Sequence, residues 1–404
     1  MSSSRLLTGF SSKAITTRGD LIGWGSSTIP CSGINDPLMV SSLVLESNES
    51  RFALIALDLL AVDFAEADAI RARIAVTGVP PENTLIAASH THCGPASIDL
   101  CSIEKNQELA KEIVGKAEQC VREASKSLAP ASIRTAFTEF SDSVNRRQRN
   151  WLGRTILGVN PKGPVDHQLS CVVLETAHAK TLLLCYGCHP VISGPTSLES
   201  ADYVAGIRRG TVSAGFKGLL FLNGALGDLN PYDRQTHRSL VGAGIDRALD
   251  FGERITRNAL DALSHGEDDP IPQVASASAT LDVSFPGSQG RELNRRLLVQ
   301  ALRIGRFLSI TFPGEIFAQT SLDLRKKVGI KNLAIVSCAN GYIGYVPPKA
   351  DYARRGYEIE EVPRLLGYRV PAGMAEDLQS IGAELIASRL QRQLTVTSDS
   401  ERSL

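Results

Sequence analysis

The feature that most constrains this chain is an alternation. Short apolar runs such as TLIAAS, LLLCYG and GLLFL, several closed by glycine or proline, are interleaved with amphipathic stretches of helical spacing. Runs of about four to eight apolar residues bounded by turn residues read as strands with both faces buried. The pattern predicts strands over 52–62, 83–89, 132–140, 169–175, 181–186, 218–222, 274–285, 306–312 and 332–337, with a hairpin at 177–180. Helices are expected over 65–76, 107–127, 202–214, 245–264, 291–304, 316–328 and 373–393. In the 245–264 stretch Ile245, Ala248, Leu249, Ile255, Ala259 and Leu263 recur at three- and four-residue steps, one apolar face for a sheet. Hairpins among helices point to an α+β fold with mixed and antiparallel β-sheets flanked by helices, not a doubly wound parallel sheet.

No segment approaches the roughly 20 apolar residues of a membrane span, and the N-terminus MSSSRLLTGFSSKAITTRGD lacks the apolar run of a secretory signal. Lysine plus arginine equals aspartate plus glutamate, 43 each, a balance that gives no reason to expect a nucleic-acid backbone or an anionic membrane surface as the main partner. The eight cysteines are scattered; Cys185 and Cys188 form a C-x-x-C with no second pair, so free buried thiols and a cytoplasmic setting are expected. Residues 1–404 are expected to form a single domain, with the polar, proline-containing stretch 266–272 as the candidate surface break.

Five short segments carry the chemistry. In ASHTHCGP, His90 and His92 lie two apart at the end of an apolar run, a spacing that puts both imidazoles on one face of a strand. They are metal ligands or a hydrogen-bonded pair at a polar sheet edge. In GCHP, His189 closes another buried run beside a proline. In FPGE, Glu315 opens a helix, either as a first-turn carboxylate or as a third ligand. Two histidines and a glutamate are a ligand set used by catalytic zinc, which keeps one position open for water. GYIGYVPP and DYARRGYE place tyrosines among glycines, where phenols can reach a metal or a developing oxyanion. NGALGDLNP follows GLLFL, and its small residues allow a close backbone approach, with Asp228 as a turn cap or a site group. Arg146, in VNRR, stands in a polar stretch where a solvated guanidinium is the default, and its residue type alone assigns it no role.

Together and in this order, ASHTHCGP, VNRR, GCHP, NGALGDLNP, FPGE and GYIGYVPPKADYARRGYE resemble the neutral/alkaline non-lysosomal ceramidase family, over residues 23–358. The resemblance implies a ceramidase catalytic-domain fold and one zinc ion per chain, with His90, His189, Glu315 and Tyr345 as ligands. The spacing to Tyr357 favours Tyr345 over Tyr342 as the ligand tyrosine. It also implies that His92 faces the substrate and that Arg146 and Tyr357 line the same pocket. The chain departs from the family where a serine stands near the scissile amide: Asn230 takes that place, with Tyr232 two positions on. The family's C-terminal immunoglobulin-like domain and secretion signal are not expected here.

The expected activity is zinc-dependent hydrolysis of a linear amide. Metal-activated water attacks an N-acyl substrate, lipid or not and not necessarily ceramide, while Asn230 holds the amide. Two alternatives stand beside it: a deacylase or deacetylase of a small polar amide such as an amino sugar, and a non-catalytic metal-binding homologue. Neither nucleic acid nor stable membrane insertion is expected.

Overall fold

The computed structural model describes residues 6–47, 50–270, 273–287 and 292–390. In chain order the first strands are β1 (Leu7–Ala14), β2 (Met39–Ser47), β3 (Ser50–Leu57), β4 (Thr84–Ala88) and β5 (Ala129–Glu139). Then come a hairpin of β6 (Ser143–Arg149) and β7 (Thr155–Asn160), followed by β8 (Gln168–Thr176), β9 (Lys180–Tyr186) and β10 (Gly218–Asn223). The main sheet runs β10-β9-β8-β5-β1-β2-β3-β4. Its interior is antiparallel, but each end is a parallel pair, β3 with β4 and β9 with β10. The strand β11 (Leu229–Asp233) pairs with β6, and β12 (Glu267–Asp269) joins the main sheet along β5. The break expected at 266–272 therefore begins as a paired strand, and its residues 271–272 lie outside the described residues.

The runs are apolar throughout because the sheet is covered on both faces. In β3, Ala53, Ile55 and Leu57 face one core, and Phe52, Leu54 and Ala56 face another. The first core lies under α1 (Phe64–Ile74), α2 (Gln107–Lys126), α3 (Tyr203–Ser213) and α4 (Ile245–Ser264). The second is shared with another sheet, β13 (Val274–Pro286), β14 (Glu292–Ile304), β15 (Phe307–Thr311) and, after a two-residue β16 (Glu315–Ile316), β17 (Ala334–Val336). That sheet's far face packs on α5 (Ala318–Val328). The result is helices, sheet, sheet, helices: the α+β arrangement that the hairpins predicted. Beyond these lie β18 (Tyr345–Val346), α6 (Tyr357–Glu360), α7 (Val362–Leu366) and α8 (Met374–Glu384), which packs beside α5. No helix of the described residues is long and apolar enough to cross a membrane.

Three expectations need correction. The helix expected at 291–304 is β14, paired with β13 from Val274↔Ile304 to Pro286↔Glu292; residue 291 lies outside the described residues. Its Arg- and Leu-rich composition favours helix, but pairing with a long neighbour and burial of alternate residues override local propensity. Leu297, Val299 and Ala301 face one core, Leu302 and Ile304 the other. The strand expected to reach residue 62 stops at Leu57, because the next carbonyls are turned towards the histidine loop. The expected helix over 373–393 is α8, continued by one wide turn at Leu385–Leu390, and residues 391–393 lie outside the described residues.

Candidate metal centre

His90 and His92 leave the end of β4, and His189 leaves the end of β9, so the imidazoles start from different regions of the main sheet. Asn223, the last residue of β10 and wholly buried, joins the two regions. Its Nδ2 donates to the Ser89 carbonyl at 2.7 Å and to the Cys188 carbonyl at 3.2 Å, the residues just before His90 and His189. The third contribution comes from β16, whose parallel pairing with β18 sets Glu315 directly across from Tyr345. Asp228 fixes this piece: Oδ1 accepts from the Ala318 amide at 2.8 Å, the start of α5, and Oδ2 accepts from Asn145 Nδ2 at 2.6 Å. Burial pushes the Asp228 carboxyl up to about 7. It ties NGALGDLNP to the start of α5 and to β6, where the sequence had suggested a cap of its own turn or a site group.

The imidazoles meet in a way strand alternation did not foresee. His90 lies beyond the strand with φ of 72°, a left-handed conformation that costs a non-glycine residue on the order of 1 kcal/mol or more. His90 N–H on the Leu59 carbonyl at 2.9 Å holds it there. A turn, not the pleat, brings the ring centroids of His90 and His92 to 4.9 Å and those of His90 and His189 to 5.2 Å.

Each ring is pinned by a backbone carbonyl. Nδ1 of His90 lies 2.7 Å from the Leu60 oxygen, Nδ1 of His92 2.7 Å from the Gly23 oxygen, and Nδ1 of His189 3.0 Å from the Leu229 oxygen. A carbonyl only accepts, so each Nδ1 carries its proton, and in the neutral rings Nε2 presents a lone pair. The ligand atoms of the three histidines lie within 4.8 Å of one another. Nε2 of His90 and of His92 are buried without a hydrogen-bond partner. Glu315 Oε2 stands 3.0 Å from His189 Nε2 and 3.3 Å from His90 Nε2. An ionised carboxylate among imine lone pairs is acceptor facing acceptor unless a proton or a cation sits between them. The donor set of imidazole nitrogens and one carboxylate therefore fits a divalent ion such as zinc, and the carbonyls supply the outer contacts that fix ligand orientation.

The charges in the pocket follow from these contacts. Burial works against the charged form of Glu315, yet His90 and His189 hold its carboxyl well below the usual carboxylate range. Burial and then the neighbouring Arg146 push His189 down to about 4. His90 moves well upward despite burial, because Glu315 and Cys338 face it and no arginine does. Burial, then His90 and His189, keep His92 neutral.

Arg146, on β6, is buried and crosses the pocket. Nε donates to Glu358 Oε1 at 3.0 Å, Nη2 to the Tyr345 hydroxyl at 2.8 Å, and Nη1 lies 3.2 Å from His189 Nε2 and 3.5 Å from Asn230 Oδ1. Its guanidinium carbon is 5.2 Å from the centre of the Tyr345 ring and 5.8 Å from that of Tyr357. The Tyr345 hydroxyl is also 3.3 Å from His189 Nε2. His90, His189, Glu315, Tyr345, Arg146, Asn230 and Tyr357 are thus gathered in one place with His92. His92, Asn230 and Tyr357 are the part-exposed members.

Sequence reasoning passed over Asn223 as a side-chain bridge and Glu358, and it set aside Tyr342, whose hydroxyl donates to Glu315 Oε1 at 2.5 Å. Tyr342 and Glu358 stand inside the tyrosine motif, but nothing in the motif says which phenol reaches which oxygen. Cys93 is buried, and burial pushes its thiol well up, away from the thiolate that nucleophilic chemistry needs. All eight cysteines are free. A cleft of about 550 Å³ lined by Glu139, His167, Arg325 and Lys331 shares no residue with the histidine cluster.

The fold and the pocket define a class: two stacked sheets between helices, with loops from separate strand ends closing a buried imidazole–carboxylate pocket suited to a cation. Among solved structures, the chain superposes on a neutral ceramidase from Pseudomonas aeruginosa with a TM-score of 0.79 at 17% identity, over 96% of this chain and 75% of that one. A ceramidase complexed with C2 gives 0.77 at 16% identity, over 96% of this chain and 76% of that one. No protein-family model and no curated protein matches the sequence. The chain has the neutral ceramidase fold, as its motifs implied.

Proposed function

We propose that the protein is a zinc-dependent hydrolase of linear N-acyl amides. The observation that carries this reading is the set of three carbonyl-pinned imidazoles whose ligand atoms lie within 4.8 Å of one another, with Nε2 of His90 and of His189 facing Glu315 Oε2. His90, His189 and Glu315 would hold the ion, with Tyr345 at its edge; His90 and His189 are at most 1% exposed, as befits groups sealed behind a ligand. When bound, zinc supplies Lewis acidity for a carbonyl and brings water towards a pKa of about 7.

The chain's own groups supply the rest. His92 is the part-exposed imidazole and stays neutral, so its free Nε2 can accept a hydrogen bond on the substrate side. Arg146 and the Tyr345 phenol, which burial keeps protonated, are fixed donors beside the pocket. Preorganised donors of this kind are typically worth about 3–4 kcal/mol each when aimed at a developing oxyanion. Asn230 positions the amide by its side-chain amide and lacks the hydroxyl a nucleophile needs. A compact polar acyl amide is the second reading, favoured by Asn230 where the ceramidases carry serine.

The test is metal analysis of the purified protein and hydrolysis of a panel of N-acyl sphingoid, amino-acid and amino-sugar substrates with and without chelator. One tightly bound zinc, chelator-sensitive turnover and loss of both in His189→Ala are expected. Full metal occupancy in that variant, or turnover indifferent to chelator, would overturn the proposal.

A further inference from the structure

Exposed large apolar side chains are scattered singly over most of this surface, as is ordinary, with one concentration. In the β6–β7 hairpin Trp151 is 90% exposed, Leu152 57%, Leu157 49% and Ile156 42%. The tip is a built turn. Asn150 Oδ1 accepts from the Leu152 and Arg154 amides at 3.0 and 2.9 Å, Asn150 N–H donates to the Arg154 carbonyl at 2.9 Å, and Gly153 takes φ of 75°. Arg149 reaches over the tip to the Gly153 carbonyl at 3.2 Å. Among the described residues neither Arg149 nor Arg154 is in an ion pair. Of the neighbouring charges, Arg354 is paired with Asp351 and Arg355 stands 3.7 Å from Glu360. The tip is thus an indole and a leucine flanked by two guanidinium groups that no carboxylate of the described residues neutralises.

The same hairpin is wired to the pocket. Trp151 follows Arg146 by five positions, about 16 Å of extended chain. On the other strand, Thr155 Oγ1 donates to the Arg354 carbonyl at 2.7 Å, and a Cβ on Gly356 would stand 3.0 Å from Thr155 Cγ2. Tyr357 follows directly, so the hairpin braces both Arg146 and the segment that carries Tyr357.

We propose that this hairpin docks the protein on an anionic lipid surface, Trp151 and Leu152 entering the headgroup region and Arg149 and Arg154 meeting the phosphates. An indole combines an apolar body with one N–H donor and settles at the depth where water gives way to hydrocarbon. Guanidinium groups bind phosphate oxygens in a fork and keep their charge. A second copy of the chain is the poorer occupant, since stable interfaces bury about 800 Å² per partner and this tip offers a few hundred. Docking needs no turnover, so it stands or falls apart from the amide-hydrolase reading.

The test uses the full chain and sedimentation with vesicles of phosphatidylcholine alone or mixed with phosphatidylglycerol. Binding to the anionic vesicles, a blue shift of the Trp151 emission (wild type minus Trp151→Phe) and weaker binding at high salt are expected. Trp151→Ala with Leu152→Ser should weaken binding at least about tenfold, and Arg149→Gln with Arg154→Gln about thirty-fold. Unchanged far-UV circular dichroism shows that these tip variants fold. Absent vesicle binding, or equal binding by the Trp151→Ala/Leu152→Ser variant, overturns the proposal. So does sedimentation equilibrium showing a dimer that this variant abolishes, since the patch would then belong to a second copy.

Discussion

Replacing Gly23 by alanine tests whether the outer contact to His92 organises the reaction. Gly23 takes φ of 116°, and its carbonyl pins His92 Nδ1 at 2.7 Å. A Cβ there would stand 2.8 Å from His92 Cγ and Nδ1, about 0.6 Å inside the 3.4 Å where ordinary contact begins. The ring must move by that amount or the loop must shift and drop a hydrogen bond worth about 1 kcal/mol. Displacements of this size in positioned groups lower turnover by about ten- to a hundredfold. Gly25→Ala is the control: φ is 90° there too, but a Cβ meets nothing within 4 Å, so it shares the backbone strain without the push. Each variant should lose about 1–2 kcal/mol of stability. With the best substrate of the panel, Gly23→Ala should lower kcat about ten- to a hundredfold with zinc content unchanged, and Gly25→Ala should stay within about twofold of wild type. Equal kcat in the two variants would show that the Gly23 contact does not position His92, and loss of zinc from Gly23→Ala would move His92 into the ligand set.

Glu199 is wholly buried beside Arg18 Nη1, 3.1 Å away, and burial pushes its carboxyl up to about 7, with Asp36 and Glu112 adding to the rise. A carboxyl raised on folding leaves stability untouched below its unfolded pKa and lowers it as pH rises between the two values. The thermal midpoint of wild type should therefore fall relative to Glu199→Gln across that window, and a difference that ignores pH would count against this. Gly252 on α4 lies against the backbone of Tyr203 and Ile207 on α3, where a Cβ would collide with carbonyl oxygen and amide nitrogen. Gly252→Ala should cost about 3 kcal/mol or more by urea unfolding, and a loss below about 1 kcal/mol would show that the helices separate freely.

Much of the site was legible because its groups stand where strands end. His90 and His189 each close an apolar run beside glycine or proline, while Glu315, expected to open a helix, starts the two-residue β16 after Pro313 and Gly314, and the helix begins only at Ala318. Tyr345 and Tyr357 were picked out by the resemblance to the ceramidase family, and the structure brings both to Arg146. The carbonyls of Leu60, Gly23 and Leu229, which orient the imidazoles, left no trace, since any residue supplies a carbonyl. Asn223 was visible as the first residue of a small-residue turn, but its bridge to Ser89 and Cys188 spans positions far apart in the chain. The β14 segment was misread because its residues favour helix in isolation, and only its partner β13 says otherwise.

The order of residues is enough to set the strand-and-helix alternation, the burial of the main strands on both faces, and the residue types able to hold a cation. These are local properties, written in side-chain polarity and its period. The folded arrangement was needed to bring the regions around β4 and β9 together at Asn223, to lay β16 against β18, and to send Tyr342 and Tyr345 to different members of the pocket. Those outcomes depend on register and on carbonyl directions set by many distant contacts at once, which no single stretch of chain encodes.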